Sequence, residues 1–222
     1  MSDAAKYLPL SHREREDESS VSNDWSKHLY ACLESLAGIV EKLPADQLQA
    51  QSGQQKYRVV DVVALMIWRL RTPRLTQARQ LLAQALRTRS GAAGAALAQS
   101  RSLADDSTHA SPATLAAQIR TLVADGRRSG TRHSVAQLSV AVVAGYDVAK
   151  TTGTALTVDP VASGAVALAR SLSAPVPIRA VLRDCTLRAS DEGWSVGHGA
   201  VRDAIARDIV LFLFGRADIP RP

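Results

Sequence analysis

The chain has 222 residues, 46 % of them hydrophobic and 22 % charged, with two cysteines, enough apolar mass for a sizeable core that needs no disulfides. Its formal charge of +6, from 27 basic and 21 acidic residues, is too mild to identify a partner. No run of about 18 apolar residues occurs and the first residues hold no apolar leader, so a cytoplasmic protein with no membrane partner is expected.

Residues 1–22 are rich in charge and serine and read as a mobile polar tail, with Tyr7–Leu10 docking locally. Ser22 or Asn23 can cap a helix from Asp24 to about Leu43, with Leu29, Leu33, Leu36 and Val40 at helical spacing. Pro44 breaks it, and "PADQLQAQSGQQKY" reads as a long polar loop. A second helix spans Val59 to Arg71. Pro73 separates it from a third, Leu75 to about Arg89, whose Leu75, Ala78, Leu82, Ala85 and Leu86 share one face. "SGAAGAALAQSRSLADDSTHASP" is a low-complexity, flexible stretch. Ser111-Pro112 opens a helix to about Asp125, and "GRRSGTR" reads as a turn. A long helix follows from His133 to about Thr151, with Val135, Leu138, Val142 and Tyr146 on one face and Gly153 as its stop. Pro160 to Leu172 is a shorter helix, ended by "APVP". "IRAVLRDCTLRAS" and "WSVG", joined by a turn at "DEG", have strand composition. Val201 to Phe214 reads as an amphipathic helix with Ile205, Ile209, Phe212 and Leu213 inward. The expected fold is mainly α: tail 1–22, a helical bundle over 23–153, and a small α/β domain over 154–222 built of helix, hairpin and helix.

From Val62 to Ala104 there is no acidic residue, but seven arginines occur: Arg69, Arg71, Arg74, Arg79, Arg87, Arg89 and Arg101. Such a stretch can attract an anionic ligand or nucleic acid, although a solvated helix face has the same composition and no nucleic-acid motif accompanies it. Cys32 falls among leucines at helical spacing and reads as a buried thiol; with Cys185 it forms neither a CxxC pair nor a metal spacing. His28 and Cys32 are four apart, an allowed zinc pair, but no third ligand is evident. His109, His133 and His198 read as capping, hinge or surface residues. Phosphate loops, nucleophile elbows and His-Glu-x-x-His helices are not found.

Three stretches in order, "YRVVDVVALM", "VVAGYDVAKTTG" and "LRASDEGWSVGHG" with "LFLFGRADIP", resemble the mycothiol-dependent maleylpyruvate isomerase family of the DinB-like four-helix metalloproteins. Tyr57 stands for the family's tryptophan, with Val59, Asp61 and Ala64 in place. The resemblance implies a four-helix bundle whose metal is held by a histidine of the second helix and by a glutamate and histidine of the fourth, and in which that metal activates a thiol. In this chain those three positions are Leu65, Val140 and Ala144, none of which can ligate a metal, so no metal is expected there.

The pocket candidates are therefore these three positions together with Asp61, Tyr146 and Asp147 beside them. Arg179 and Arg183, placed on the hairpin, can take a carboxylate bidentately. The reading that follows is a metal-free, non-catalytic or repurposed member of that family, binding a small-molecule ligand or a protein partner. One alternative is a thiol-dependent isomerase or transferase working without the family metal, with mycothiol implied by the resemblance alone. A second is a nucleic-acid or protein interaction module using the arginine segment 69–101. No cofactor is expected, and the oligomeric state is left open.

Overall fold

The computed structural model describes residues 23–53, 57–88 and 111–220. The expected tail 1–22, Arg89, Arg101, His109 and nearly all of the low-complexity stretch lie outside the described residues. The described chain is mainly helical, with a small sheet near its C-terminal end.

Helix α1 (Ser26–Lys42) starts where the Asp24 carboxylate accepts the Ser26 amide at 3.0 Å. The same oxygen takes the His133 amide, and the Trp25 amide donates to the His133 carbonyl at 2.8 Å, so α1 begins clamped to a distant loop. Its expected face is fully buried at Leu29, Leu33, Leu36 and Val40. Each such burial contributes about 1.5–3 kcal/mol.

The loop expected after Pro44 contains a short helix, α2 (Ala45–Gln49), anchored by buried Leu48. One anchoring leucine is too little periodicity to be read from sequence. Helix α3 (Val59–Arg71) is buried at every position from Val59 to Trp68, and Pro73 separates it from α4 (Arg74–Thr88).

Helix α5 (Pro112–Ser129) is capped by Ser111, whose hydroxyl accepts the Thr114 amide at 3.2 Å. It runs through the expected turn and stops only at Gly130, a left-handed residue. Gly126 is not a breaker here: it lies against the Tyr30 ring of α1, where a β-carbon would sit 2.5 Å from the phenol oxygen. Helix α6 (Val135–Thr152) begins with a capping box, Gln137 Oε1 taking the Ser134 amide at 3.1 Å, and ends at left-handed Gly153.

The four long helices α1, α3, α5 and α6 form a bundle in which α1 and α3 each pack on both α5 and α6. Bidentate Arg120–Glu41 and the Arg127–Glu34 pair at 2.9 Å show α1 and α5 to be antiparallel, since the higher-numbered arginine meets the lower-numbered acid.

Helix α7 (Pro160–Ser173), capped by the Asp159 carboxylate, packs on α6 and carries the chain into the C-terminal unit. There the expected strand over "IRAVLRD" is helix α8 (Val176–Asp184), bent 111° from α7, and only Cys185–Ala189 forms β1. Pro175 before a three-to-four spacing of Ile178, Val181 and Leu182 starts a helix that the apparent alternation hid. The expected closing helix also divides. Ala200–Ala204 is β3, parallel to β1, and only Ala206–Leu213 is helix α9.

The register sets Arg188 opposite Asp203, where the guanidinium grips the carboxylate through bonds of 2.6 and 2.8 Å, a cross-strand pair that a helix there forgoes. Strand β2 (Ser195–Gly197) is antiparallel to β1, giving the order β2-β1-β3. The chain passes from β2 to β3 around the end of α8 through Gly197 and Gly199, at φ 101° and 99°. A β-carbon at either would collide with the backbone of Asp184 or Cys185.

One buried apolar cluster runs from the bundle into this unit, through Ala162 and Val166 of α7 to Leu187, Ile209 and Leu213.

Candidate functional site

The residues singled out in the sequence fall into separate clusters. Asp61 is the third residue of α3. Its carboxylate accepts the Arg58 amide at 2.9 Å and two guanidinium bonds at 3.1 and 3.0 Å, so it caps the helix. Val140 and Ala144 lie one turn apart on α6, and both join the buried apolar cluster, Val140 at its edge. Leu65 is buried too, but outside that cluster.

Next to Val140 opens a groove of about 240 Å³ between the end of α3, the α3–α4 turn and the start of α6. Ala136, Gln137 and Val140 form one wall, and Arg69, Arg71, Arg74 and Gln77 the other. The end of α3 thus meets the start of α6, which makes these helices antiparallel. Gln77 stiffens the turn by donating to the Arg69 and Thr72 carbonyls at 2.7 and 2.6 Å. Arg71 reaches the Gln118 carbonyl at 3.3 Å.

Arg69, one turn beyond Leu65 on the same face of α3, is half-buried. Among the described residues its guanidinium has no carboxylate partner. Burial lowers its hold on its proton, and so does the charge of Arg216, while Tyr57 acts weakly the other way. Arg216, in the segment after α9, is ion-paired with Asp147 of α6. Burial raises the Asp147 pKa, and the Arg216 charge opposes that shift. Asp147, the aspartate of the "GYD" segment, therefore ties bundle to C-terminal unit.

Tyr146 points into a different place. Its hydroxyl faces Glu192 at 3.5 Å, and Glu192 also takes the Ser163 hydroxyl and, at 2.8 Å, the Trp194 indole. A cavity of about 170 Å³ lies here, lined by Tyr146, Asp191, Glu192 and Arg207 among others. Burial, with the nearby acids, pushes the Tyr146 pKa up, so the phenol keeps its proton as a neutral donor.

Arg179 and Arg183 lie on α8, not on the hairpin, one turn apart. They share a cleft of about 280 Å³ with Leu172 and His198, and no acid among the described residues pairs with either. Four-residue spacing on a helix brings the two guanidinium groups together as the strand placement would not.

Both cysteines are buried and unbridged. His28 meets Asp159 at 3.5 Å, and His133 is buried against the Tyr30 hydroxyl at 3.1 Å. Burial pushes the Cys32 thiol up to about 12. Among the described residues no three histidine, cysteine or acidic side chains gather as a metal site.

Glu192, Ser163, Trp194 and Arg216 were not singled out from sequence. Glu192, Trp194 and Arg216 lie inside the C-terminal segments that carry the resemblance, which is the one signal pointing to them. No protein-family model, curated protein or solved structure significantly matches the chain.

Proposed function

We propose that the protein is a non-catalytic, repurposed relative of the thiol-dependent isomerases it resembles, binding a small anionic molecule in the arginine-lined groove beside Val140. The observation that carries this is Arg69. A half-buried guanidinium that has no carboxylate partner among the described residues and feels the charge of a second arginine is a partly desolvated cation short of counter-charge. A carboxylate or phosphate in the groove supplies the missing charge, and the guanidinium fork suits both groups bidentately. Arg71 and Arg74 on the same wall add long-range attraction, and the groove has room for a small metabolite. This reading places the protein in the cytoplasm with no resident metal.

A second reading rests on the same guanidinium. A fixed cation lowers the pKa of a nearby thiol, so a thiol cosubstrate such as mycothiol, activated without a metal, also suits this groove.

Thermal unfolding with inorganic phosphate, maleate and citrate tests the first reading. Saturating anion at about 100 times its dissociation constant stabilises by about 2.7 kcal/mol, or roughly 5–10 °C in a chain of this size. Arg69→Gln removes that shift while Arg79→Gln, outside the groove, keeps it. Equal shifts in wild type and Arg69→Gln would overturn the proposal. Isomerase or transferase turnover that requires added thiol would favour the second reading.

A further inference from the structure

Helix α4 is turned inside out. Its half-buried positions are Gln77, Leu81, Gln84 and Ala85, whereas Leu75, Leu82 and Leu86 are 78, 63 and 73 % exposed. Of the face expected to be shared by Leu75, Ala78, Leu82, Ala85 and Leu86, the three leucines therefore point away from the core and only Ala85 is half-buried. The polar side is the anchored one: Gln77 bonds the α3 carbonyls, and the Trp68 indole donates to Gln80 at 3.0 Å. Beyond these bonds α4 makes no extensive packing with another described element.

Arg79 sits inside the leucine stripe, four residues after Leu75, three before Leu82 and seven before Leu86, and Arg74 flanks the start. The helix and the sequence around it from Val62 to Ala104 hold no acid. An apolar stripe with a long cationic side chain in its midst is the pattern of a helix that lies in a bilayer surface. Leucines enter the acyl boundary and arginine stems snorkel to the phosphates.

We propose that α4 docks the protein on a membrane surface rich in anionic phospholipid. The contact is interfacial: no single helix among the described residues is long and apolar enough to cross a membrane. A second copy of this chain fits less well, because two α4 stripes laid together bring the Arg79 of both copies into one contact with no acid on either helix. Nucleic acid leaves the three leucines in water. An acidic amphipathic helix of another protein offers counter-charge, but a lone convex ridge gives it no groove to fill, whereas a bilayer is continuous in both charge and apolar depth.

The inference is independent of the anion groove, since the leucine stripe lies on the opposite side of α4 from Gln77. The test is flotation of the full chain with vesicles of pure phosphatidylcholine, or with about 30 mol % phosphatidylglycerol added. Wild type is expected to float with the anionic vesicles, to stay behind with the neutral ones, and to be released by high salt. Leu82→Gln with Leu86→Gln changes exposed positions and leaves the melting temperature alone. Bound fraction in that variant should fall by at least about tenfold, given the apolar burial each leucine loses. Arg79→Glu should weaken binding similarly, and Arg69→Gln should bind vesicles like wild type.

Wild type that ignores anionic vesicles overturns the proposal, as does a double-leucine variant that floats equally well. So does a wild-type dimer that the double-leucine variant turns into monomer, which would make the stripe a self-interface. Binding of an acidic helical peptide in preference to vesicles would assign the stripe to a protein partner and likewise overturn the lipid proposal.

Discussion

Replacing Asp147 by asparagine should lower stability and, in the same variant, strengthen the response to anions. Asp147 is 1 % exposed and Arg216 17 %, and the two are directly ion-paired between α6 and the segment after α9. Removing one partner of a fully buried pair costs about 3–5 kcal/mol, because the other charge is left in low dielectric. Two features reduce the figure here. Arg216 keeps some access to water, and burial already raises the Asp147 pKa, so the pair surrenders part of its attraction to desolvation. About 2–3 kcal/mol remains, equivalent to roughly 4–12 °C for a chain of 222 residues.

Urea unfolding at neutral pH, followed by circular dichroism, measures the loss. With the carboxylate gone, Arg216 loses its acid while its charge still acts on Arg69, so phosphate should stabilise Asp147→Asn by more degrees than it does wild type. Arg216→Met in the same background removes the stranded charge and should return part of the stability. An Asp147→Asn protein within about 0.5 kcal/mol of wild type, or one indifferent to phosphate, would refute both the energetic assignment and the link to Arg69.

Gly126→Ala should destabilise by about 1–2 kcal/mol in the same urea assay, because the new methyl displaces the Tyr30 ring from its bond to His133. A gain of about 1 kcal/mol, as at an open helical glycine, would show that the ring yields freely. The Cys32 thiol, raised from its ordinary 9.0 to about 12, keeps its proton in the folded chain after the unfolded chain has lost it. Stability should therefore fall by about 1.4 kcal/mol per pH unit as pH rises above 9, and Cys32→Ala should flatten that limb of the stability-against-pH curve.

The bundle was legible because its helices carry both period and punctuation. Val59–Arg71 and the stop at Gly153 agree with the structure, and α1 agrees to within two residues at its start, since apolar spacing and caps are local properties of the chain. The C-terminal unit was less legible for a reason visible in Val201. Its spacing to Ile205 and Ile209 is helical, yet Val201 pairs with Thr186 across a parallel ladder, and no local rule reports a partner fifteen residues away. Helix α4 shows a different limit. The period was read correctly, but periodicity says that a leucine stripe exists and not which way it faces.

The same distinction governs the candidate site. Residue types alone mark Leu65, Val140 and Ala144 as incapable of binding a metal, and the structure puts Val140 and Ala144 with the apolar core. What sequence could not supply is the replacement. An arginine stretch without acids is ambiguous until one knows which guanidinium is partly buried and lacks a carboxylate. Arg79, Arg71 and Arg74 are exposed, while Arg69 alone of these four is half-buried and feels the charge of Arg216, a residue 147 positions later in the chain. In the proposed reading the bundle presents positive charge near the α3–α6 contact, where the resemblance would put a metal. That charge resides in a fixed guanidinium, which attracts an anion without the open coordination position that lets a metal activate water or thiol. On that physical ground the proposed reading is anion binding rather than metal-dependent chemistry.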